Sequence, residues 1–416
     1  MVNIINVKGR QVFDSRGNPT VEAEIFLEDG HSATAIAPSG ASTGAFEAYE
    51  LRDNDKNIFL GKSVYKAISN INIKISKNLK GQDPNQQENI DKILIETDGS
   101  DNKNNLGANA ILAVSLANAK VSSIVNKKPL YKNLGSNYSL PYPLMNIING
   151  GAHADNDLRI QEFMIRPDSA KNYMDAIEKC FLVIKNLKKI LKLKKMSTNV
   201  GDEGGFAPSI NSNEEALKLI VEAIESSKLI PGKDISICLD VAANELINKE
   251  GKYLINSSSA LPVDEVIEYY KKITSIYPIK SIEDPFAEED WKAWEKITAE
   301  IGKDVQVVGD DLFVTNEKRL KKGVDEKSAN SILIKPNQIG TLTETLKVIE
   351  LAKKSKFNTI ISHRSGDTED TFIADLAVAT EASQIKTGSL TRSERVAKYN
   401  RLLRVEEELG KKIKMA

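Results

Sequence analysis

Cysteine, net charge and long apolar runs are what this sequence of 416 residues lacks. Its two cysteines are Cys180 and Cys238, and Cys238 lies in a segment predicted to be a buried strand. A disulfide framework is therefore not expected, and a reducing cytoplasm fits best. Lysine plus arginine (57) nearly equals aspartate plus glutamate (58). This balance excludes a global field that attracts nucleic acid or a membrane surface.

Membrane and export signals are also lacking. We see no apolar run that approaches the roughly 18 residues of a membrane span. The first ten residues, MVNIINVKGR, lack the apolar region of a signal peptide. We therefore expect a cytoplasmic protein that contacts neither a membrane nor nucleic acid directly. The length allows two domains, one of them the size of a barrel.

The first third of the chain has the pattern of a small α+β domain. Partial alternation of apolar and polar residues over 2–38 predicts a three-stranded antiparallel meander. Helical patterns follow at about 62–79, 84–96 and 106–125. A segment marked by proline and glycine near residue 135 indicates a boundary. We predict an N-terminal α+β capping domain over 1–134 and a catalytic domain over 135–416.

The second domain alternates short apolar runs with amphipathic stretches. Alternating strands and helices imply a parallel sheet, and in a (β/α)8 barrel all strand C-termini open on the face that carries the chemistry. Six runs end at Asp240, Glu283–Asp284, Asp310–Asp311, Lys335, His363–Ser365 and Lys386. We therefore predict an α/β fold with a (β/α)8-type barrel, whose open face collects carboxylates, lysines and a His-Arg-Ser cluster.

Three of these acids predict a metal site. Asp240, Glu283 and Asp310 end three successive strands. A single carboxylate at such a place more often caps a helix, but three that converge repel one another unless a cation lies between them. Oxygen ligands alone favour a hard ion such as Mg²⁺.

Two lysines and one arginine predict acid–base chemistry on an anion. Lys335 and Lys386 could each merely balance the acids. Two ammonium groups close to each other and to Mg²⁺ are expected to lower each other's pKa, and a partly neutral lysine can serve as a general base. Arg364 and Ser365, in SHRSG, suit a phosphate or carboxylate, although a structural ion pair is the alternative.

Three glycine-rich motifs leave more than one interpretation open. VGDEGGFAP contains Glu203, and NGGAHADN contains His153. Acids in such turns are often only caps, and a lone histidine is usually structural. PSGASTG contains a G-x-S-x-G match centred on Ser42, the nucleophile motif of α/β-hydrolases. That motif belongs on a strand–turn–helix elbow and here follows a meander, so a hydrolase is the less favoured alternative.

A series of motif-like segments covers nearly the whole chain: GRQVFDSRGNPTVEAE, PSGASTGAFEAYELRD, LGANAILAVSLA, NGGAHADN with QEFMI, VGDEGGFAP, SIEDP, VGDDLFVTN, IKPNQIGTLTET, SHRSGDTEDTFIADLA and IKTGSLTRSERVAKYNRLLRVEEEL. Taken together and in this order, these segments resemble the enolase (phosphopyruvate hydratase) family of bacterial type. The family barrel begins with two strands and two helices, which would explain why the alternation is regular only after about residue 230.

The resemblance implies reversible dehydration of 2-phosphoglycerate to phosphoenolpyruvate in glycolysis and gluconeogenesis. Lys335 would be the base that removes the C2 proton. Glu203, assisted by Glu162, would protonate the departing C3 hydroxyl. Lys386 and two Mg²⁺ ions, the second arriving with the substrate, would stabilise the charge that develops. A lysine or histidine base combined with Mg²⁺ is an established pattern of the wider enolase superfamily.

The resemblance also assigns ligands. Asp240, Glu283 and Asp310 would hold the first Mg²⁺, and Ser39 in the PSGAST loop would ligate the second. Arg364 and Ser365 would take the phosphate. The further residues that it places at the catalytic centre or on the substrate are His153, Gln161 and His363.

Two residues depart from the family pattern, and several alternative functions and properties stay open. Arg159 stands where many relatives have an acid, and Asp367 replaces a more usual glutamate, which affects local ion pairing. Another superfamily enzyme, or an enolase-like binding or scaffold protein, is the rival function. The resemblance further implies a homo-oligomer, dimer or octamer. It leaves open plasminogen binding through the C-terminal lysines, a degradosome partner, and location at the cell surface or secretion without a signal peptide.

Overall fold

The N-terminal part of the chain begins with an antiparallel meander. The structure is a computed structural model that describes residues 2–40, 44–256, 259–410 and 413–416. Strand β2 (Pro19–Leu27) lies between β1 (Ile4–Phe13) and β3 (Ser32–Ile36). Val21, Ala23 and the other alternate apolar residues of β2 are buried, because successive side chains of a strand point to opposite faces. The predicted meander is confirmed.

One long helix packs against the sheet of this meander. Helix α4 (Ala108–Val125) packs against β2 and β3. Contrary to the sequence expectation, α4 is long and apolar enough by composition to cross a membrane, but 83% of it is buried inside the protein. Asparagine, serine and lysine residues interrupt the apolar residues of α4, so the sequence alone did not indicate a segment of membrane-spanning length. The other helices of this part are α1 (Tyr65–Asn70), which continues through a π turn (Ile71–Ile75) into α2 (Ser76–Leu79), α3 (Gln87–Asp98) and α5 (Leu130–Leu134).

Eight strands close into a barrel in the order β10-β11-β4-β5-β6-β7-β8-β9. Strand β5 runs antiparallel to both neighbours, and the remaining pairs are parallel. The closed barrel beside a small antiparallel sheet confirms the predicted α/β fold class. The strands are β4 (Tyr142–Asn149), β5 (Glu162–Arg166), β6 (Ser236–Asp240), β7 (Ile279–Glu283), β8 (Gln306–Gly309), β9 (Ser331–Ile334), β10 (Asn358–Ser362) and β11 (Gln384–Lys386).

The barrel begins irregularly and then becomes regular. Two strands and two helices come first, and a helix follows every later strand, so the implied family variant is what the structure has. The helices are α6 (Tyr173–Leu193), α7 (Asn213–Ser226), α8 (Val263–Ile276), α9 (Trp291–Ile301), α10 (Glu317–Glu326), α11 (Pro336–Ile339), α12 (Leu342–Lys354), α13 (Phe372–Ala379) and α14 (Ser393–Leu409).

Local capping explains where several of these helices begin. The side chain of Ser212 accepts a hydrogen bond from the backbone N–H of Glu215 at the start of α7. Thr341 does the same for α12, and Asn172 for α6. Side-chain oxygens at this position satisfy N–H groups that have no partner within the helix.

The barrel interior is layered, and the polar residues of the predicted site lie at its carboxyl end. Its middle layer is apolar and consists of Leu144, Met164, Cys238, Val308, Leu333 and Ile360. At the amino end of the parallel strands, the amides of Gln306 and Gln384 exchange hydrogen bonds of 3.1 and 2.9 Å. Arg166 donates to Oε1 of Gln306 at 3.4 Å. Because these layers fill the barrel, the charged residues at the carboxyl end lie above a packed interior and not above an open channel.

The N-terminal part caps the carboxyl end of the barrel. Ser39 and Gly366 exchange two backbone hydrogen bonds of 2.8 and 2.9 Å. Asp91 accepts from the backbone N–H of Thr343 at 2.9 Å at the start of α12. The ammonium of Lys120 lies 2.7 Å from Oδ2 of Asp370. These contacts join both parts of the chain over the open end of the barrel.

We expect Leu333→Ala to destabilise the protein by about 2–5 kcal/mol, because it removes methyl groups from the apolar layer and leaves a cavity. Urea unfolding followed by circular dichroism measures this. Leu193→Ala is the matched control, since Leu193 is 74% exposed and should cost less than about 0.5 kcal/mol. Equal losses in both variants would contradict the layered core.

Candidate active site

A polar cavity lies at the carboxyl end of the barrel. Its lining includes most of the residues that the sequence singled out, together with Ser362, which it did not. The lining residues are His153, Gln161, Glu162, Glu203, Asp240, Asp310, Lys335, Ser362, His363, Arg364, Ser365 and Lys386. Of the predicted site residues, Glu283 and Ser39 are not in this lining.

The antiparallel direction of β5 explains how Glu162 reaches the site. Glu162 is the first residue of β5 and pairs with Asp240, the last residue of β6. A strand that runs the opposite way presents its beginning where its neighbours present their ends. Glu162, and Gln161 just before it, therefore join the carboxylates of the parallel strands.

Lys386 connects the acids on one side of the site. Its Nζ lies 2.8 Å from Oδ2 of Asp240, 2.8 and 3.0 Å from the two oxygens of Glu283, and 3.2 Å from Oε1 of Glu162. All four side chains are buried. Glu283 thus belongs to the site although it does not line the cavity, and a cationic group occupies the centre of this acidic cluster.

Lys335 and Asp310 form the second charged pair. The Nζ of Lys335 donates to Oδ2 of Asp310, and Gln338 donates to Oδ1 of Asp310 at 2.9 Å. Behind them, Asp284 accepts backbone N–H groups from Asp310 at 2.9 Å and from Asp311 at 3.0 Å. These bonds fix the turn after β8 and so the direction of Asp310.

Lys386 lowers the pKa of Lys335, as expected, but neither lysine has a lowered pKa overall. Burial lowers the pKa of Lys335, but the charge of Asp310 outweighs it and the pKa is raised. Burial of Lys386 is outweighed in the same way by Asp240, Glu162 and Glu283, and its pKa lies well above the usual range. The carboxylates lie closer to each ammonium than the sequence could show, so both ammonium groups keep their protons.

The acids at this end exceed the cations, which suits a divalent ion. Burial and Asp240 raise the pKa of Glu283 well above its usual range. Burial and neighbouring Asp310 raise the pKa of Asp311 to about 7. Carboxylate oxygens of Asp284, Asp310 and Asp311 lie within 4.8 Å of one another. A hard divalent cation among such oxygens would relieve their repulsion. Of this trio only Asp310 was predicted as a ligand, while Asp240 and Glu283 contact Lys386. Oxygen donors suited to a divalent metal are therefore present, and the predicted ligand set stays a prediction.

Glu162 and Glu203 form a carboxyl pair with His153 between them. Nδ1 of His153 lies 3.4 Å from Oε1 of Glu162 and 3.8 Å from Oε1 of Glu203. Burial and the charge of Glu203 raise the pKa of Glu162 well above its usual range. Burial opposes ionisation of Glu203, but His363, His153 and Arg395 outweigh it and lower its pKa. Of the two carboxyl groups, Glu162 is therefore the one that binds a proton more readily.

The turn that carries Glu203 needs glycine. Gly204 has a φ of +85°, in the left-handed region that favours glycine. A Cβ at Gly205 would lie 2.1 Å from Oδ1 of Asn149. The VGDEGG motif is thus required for Glu203 to reach its partners, which include Asn146, whose Nδ2 lies 3.3 Å from Oε2 of Glu203.

Arg364 lies on the capping side of the cavity. Its guanidinium donates to both oxygens of Glu47 at 2.9 and 3.1 Å and to Oδ1 of Asn337 at 3.0 Å. Glu47 comes from the N-terminal part of the chain. A carboxylate of the protein itself therefore occupies the planar fork, so the structure has the ion pair that was the alternative interpretation, and an anionic substrate would have to replace Glu47.

Ser39 is placed differently from the other predicted residues. Its hydroxyl donates to Oε2 of Glu50 at 3.0 Å and accepts from Arg52 at 3.3 Å. These partners hold Ser39 outside the cavity lining, so its role as a metal ligand stays a prediction. Ser42, the candidate hydrolase nucleophile in the same loop, lies outside the described residues.

Sequence reasoning missed two buried cations on α14. Arg395 and Lys398 share a buried stripe with Tyr399, Leu402 and Val405, the spacing of a helix face that packs on a core. Charged residues at positions that the helical period assigns to the core are a signal in the sequence that predicts buried ion-pair or hydrogen-bond partners. Lys398 Nζ lies 2.9 Å from Oδ1 of Asp367; Asp367 is therefore a buried ion-pair partner.

Comparison with known proteins identifies relatives over the whole chain. A family model described as "Enolase, N-terminal domain" matches residues 4–134, and one described as "Enolase, C-terminal TIM barrel domain" matches residues 137–416. A protein named Enolase from Pelagibacter ubique (strain HTCC1062) is 61% identical over 418 residues, which cover 100% of this chain and 99% of that protein.

We expect stability to fall between pH 7 and pH 4 partly through His363. Burial is the main cause that lowers the pKa of His363 to about 4, below the ordinary value of about 6.5. The unfolded chain therefore takes up a proton first as the pH falls. This contribution is complete above about pH 6.5 and is lost towards pH 4, up to about 3 kcal/mol.

Urea unfolding of metal-free protein at several pH values measures this contribution. His363→Gln should flatten the dependence, and His31→Gln, which alters an exposed histidine, should keep the wild-type slope. An unchanged slope in His363→Gln would contradict the assignment.

Proposed function

The chain belongs to the enolase family, whose members are lyases, and we propose that its site interconverts 2-phosphoglycerate and phosphoenolpyruvate with Lys335 as base and Glu203 as acid. One observation carries the proposal. Lys335 follows β9, and Glu162 begins β5, which lies opposite β9 in the closed ring of eight strands. The base and the acid pair therefore face one cavity from opposite sides, as the removal of a proton and of a hydroxyl from adjacent carbons requires.

Lys335 is the group suited to take the C2 proton. That proton is weakly acidic, because its loss adds negative charge beside an ionised carboxylate. Lys335 is partly buried, and its ammonium donates a hydrogen bond to Asp310, whose charge raises the pKa of the lysine. To act as a base it must give up this proton, so a group that neutralises Asp310 favours the reaction.

Mg²⁺ is the cofactor that the acidic cluster fits, with Asp240, Glu283 and Asp310 as ligands of the first ion and a second ion arriving with the substrate. When bound, Mg²⁺ would supply positive charge against the substrate carboxylate and against these acids. Lys386 already contacts Asp240 and Glu283, so it would share this task on the substrate side.

The proton for the departing C3 hydroxyl is held by the pair Glu162 and Glu203. Glu162 binds a proton more readily than Glu203, and His153 lies within 3.4 and 3.8 Å of the two carboxyl groups. We propose that Glu162, with His153, first passes a proton to Glu203, and that Glu203 then donates this proton to the departing hydroxyl. In the reverse reaction, the pair receives the proton from the attacking water.

The substrate phosphate would bind at Arg364 and Ser365. Arg364 is now paired with Glu47 through both oxygens, and a phosphate offers the same planar pairing with more charge. Gln161 and His363 complete the lining on the side of the acid pair. We propose that the phosphate takes the place of the Glu47 carboxylate.

We also propose a glycolytic role, a cytoplasmic location and a homo-oligomer, dimer or octamer. The full-length match and the presence of Lys335, Glu203, Lys386 and the three acids support catalysis over a scaffold role and over another reaction of the superfamily. Lys411 and Lys412 lie outside the described residues, so plasminogen binding stays a prediction, as do a degradosome partner and a surface location.

We expect Lys335→Ala to lower the rate about 10²- to 10⁴-fold, the usual contribution of a general base. The assay follows the ultraviolet absorbance of phosphoenolpyruvate after 2-phosphoglycerate and Mg²⁺ are added. EDTA should also abolish the wild-type signal. Lys321→Ala, on the exposed side of α10, is the matched control. Retained activity in Lys335→Ala would place the base elsewhere.

We expect Mg²⁺ to stabilise the protein against unfolding, because an ion that binds the folded state at 100 times its Kd adds about 2.7 kcal/mol. Thermal unfolding with Mg²⁺ or EDTA measures this. Glu283→Gln should lose most of the shift, and Glu295→Gln, exposed on α9, should keep it. An equal shift in both variants would exclude Glu283 as a ligand.

A further inference from the structure

Helix α14 presents a guanidinium to the interior of the protein. Arg395 has no exposed surface, and burial of a cation is costly unless hydrogen bonds and counter-charges replace its water. The same helix carries Lys398, which is equally buried. Lys398 is accounted for by Asp367 and the carbonyl of Thr368. The contacts of Arg395 are different, and they lead into the candidate active site.

Arg395 joins the two loops that carry the acid side of the site. Its Nη1 donates to the backbone carbonyl of Arg364 at 2.6 Å and also contacts Nδ1 of His363. Its Nη2 donates to the carbonyl of Ser365 at 2.7 Å and to that of Asp202 at 3.3 Å. One side chain thus holds the loop after β10 against the residue that precedes Glu203.

The contact between Arg395 and His363 determines where the imidazole carries its proton. A guanidinium has only N–H donors and cannot accept a hydrogen bond. Nδ1 of His363 must therefore be the acceptor, and the proton of the neutral ring is on Nε2. Nε2 lies 3.2 Å from Oε1 of Glu203, close enough for a favourable electrostatic contact, although the two atoms are not aligned as a hydrogen bond. The opposite tautomer would set two N–H groups against each other at Arg395 and a lone pair against the Glu203 carboxylate.

We propose that Arg395 is a positioning residue for the acid of the reaction, because it fixes His363 as the neutral Nε2–H tautomer, which places an N–H group and not a lone pair next to Oε1 of Glu203. This inference rests on the proposed function of Glu203. His363 then orients the Glu203 carboxyl and carries no proton between groups. Proton exchange with Glu203 is left to the side occupied by Glu162 and His153, whose Nδ1 lies 3.8 Å from Oε1 of Glu203.

The surroundings of His363 agree with this assignment. The ring is buried, and its pKa is lowered to about 4 by burial, with Arg395 acting in the same direction and Glu203 against it. Two carboxylates lie near Arg395: Oε1 of Glu394 is 3.4 Å from its Nε, and Oδ2 of Asp367 is 3.7 Å from its Nη1. Protonation of Nδ1 would require Arg395 to withdraw from the ring, so the neutral form is the stable one.

The tautomer can be measured directly in the resting protein, without substrate. The chain has three histidines, His31, His153 and His363, so ¹⁵N-histidine labelling gives few signals, and His363→Gln assigns the relevant one. We expect the wild-type His363 ring to be neutral at pH 7, with the proton on Nε2 and a bare Nδ1. A proton on Nδ1 would overturn the proposal.

Variants test whether the tautomer depends on Arg395. Arg395→Met should lose the single tautomer and lower kcat about tenfold or more, as loss of a supporting contact often does, with a smaller change in KM. Lys398→Met removes a neighbouring buried cation of the same helix that does not contact His363. It should keep the tautomer even if it lowers stability.

Arg395→Lys is the conservative variant, and it keeps the test decisive if Arg395→Met fails to fold. A lysine still donates, but from one nitrogen atom where arginine uses both Nη1 and Nη2 to reach Nδ1 and the carbonyl groups. The Nε2–H form should therefore persist with part of kcat restored. A retained Nε2–H form in Arg395→Met together with lost activity would overturn the positioning role.

A failure of the proposed function would give a different result from a failure of the inference about Arg395. Wild-type protein that does not convert 2-phosphoglycerate would remove the reaction and with it the role of Glu203. The spectrum of the resting protein would still show whether Arg395 fixes His363, because it is recorded without turnover.

Discussion

The close packing of buried carboxylates at one end of the barrel is the constraint on which the rest of the site depends. Asp240, Glu283 and Glu162 surround a single ammonium, that of Lys386. Ionised acids at this density repel one another unless cations and N–H donors are placed among them. The neighbouring strands and turns are accordingly built to supply those partners, such as the backbone N–H groups that bind Asp284.

The partners are supplied by parts of the chain that are far apart in sequence. Glu47 of the capping domain pairs with Arg364 of the barrel, and Arg395 of the last helix supports the loop that carries Arg364. Removing the cap would leave the guanidinium of Arg364 without its bidentate partner. The two domains therefore form one site, in which each contributes charge that the other neutralises.

The charge distribution also keeps the two sides of the proposed elimination apart. Lys335 is paired with Asp310 on one side, while Glu162 and Glu203 lie near two histidines on the other. The residues proposed as base and as acid therefore lie in one cavity with separate counter-charges. The direction of β5 makes this possible, because it brings Glu162 to the end where Asp240 lies.

The sequence by itself determined the fold class and the charged ring, because strand period, helix period and the last residue of each apolar run are local properties of the chain. It also determined, through family motifs, which residues to expect at the site. Only the tertiary structure decided the protonation of the lysines, the place of Ser39 and the roles of Glu47 and Arg395. These depend on distances of a few ångströms between residues such as Lys335 and Asp310, which are 25 positions apart, and on burial, which no local pattern specifies.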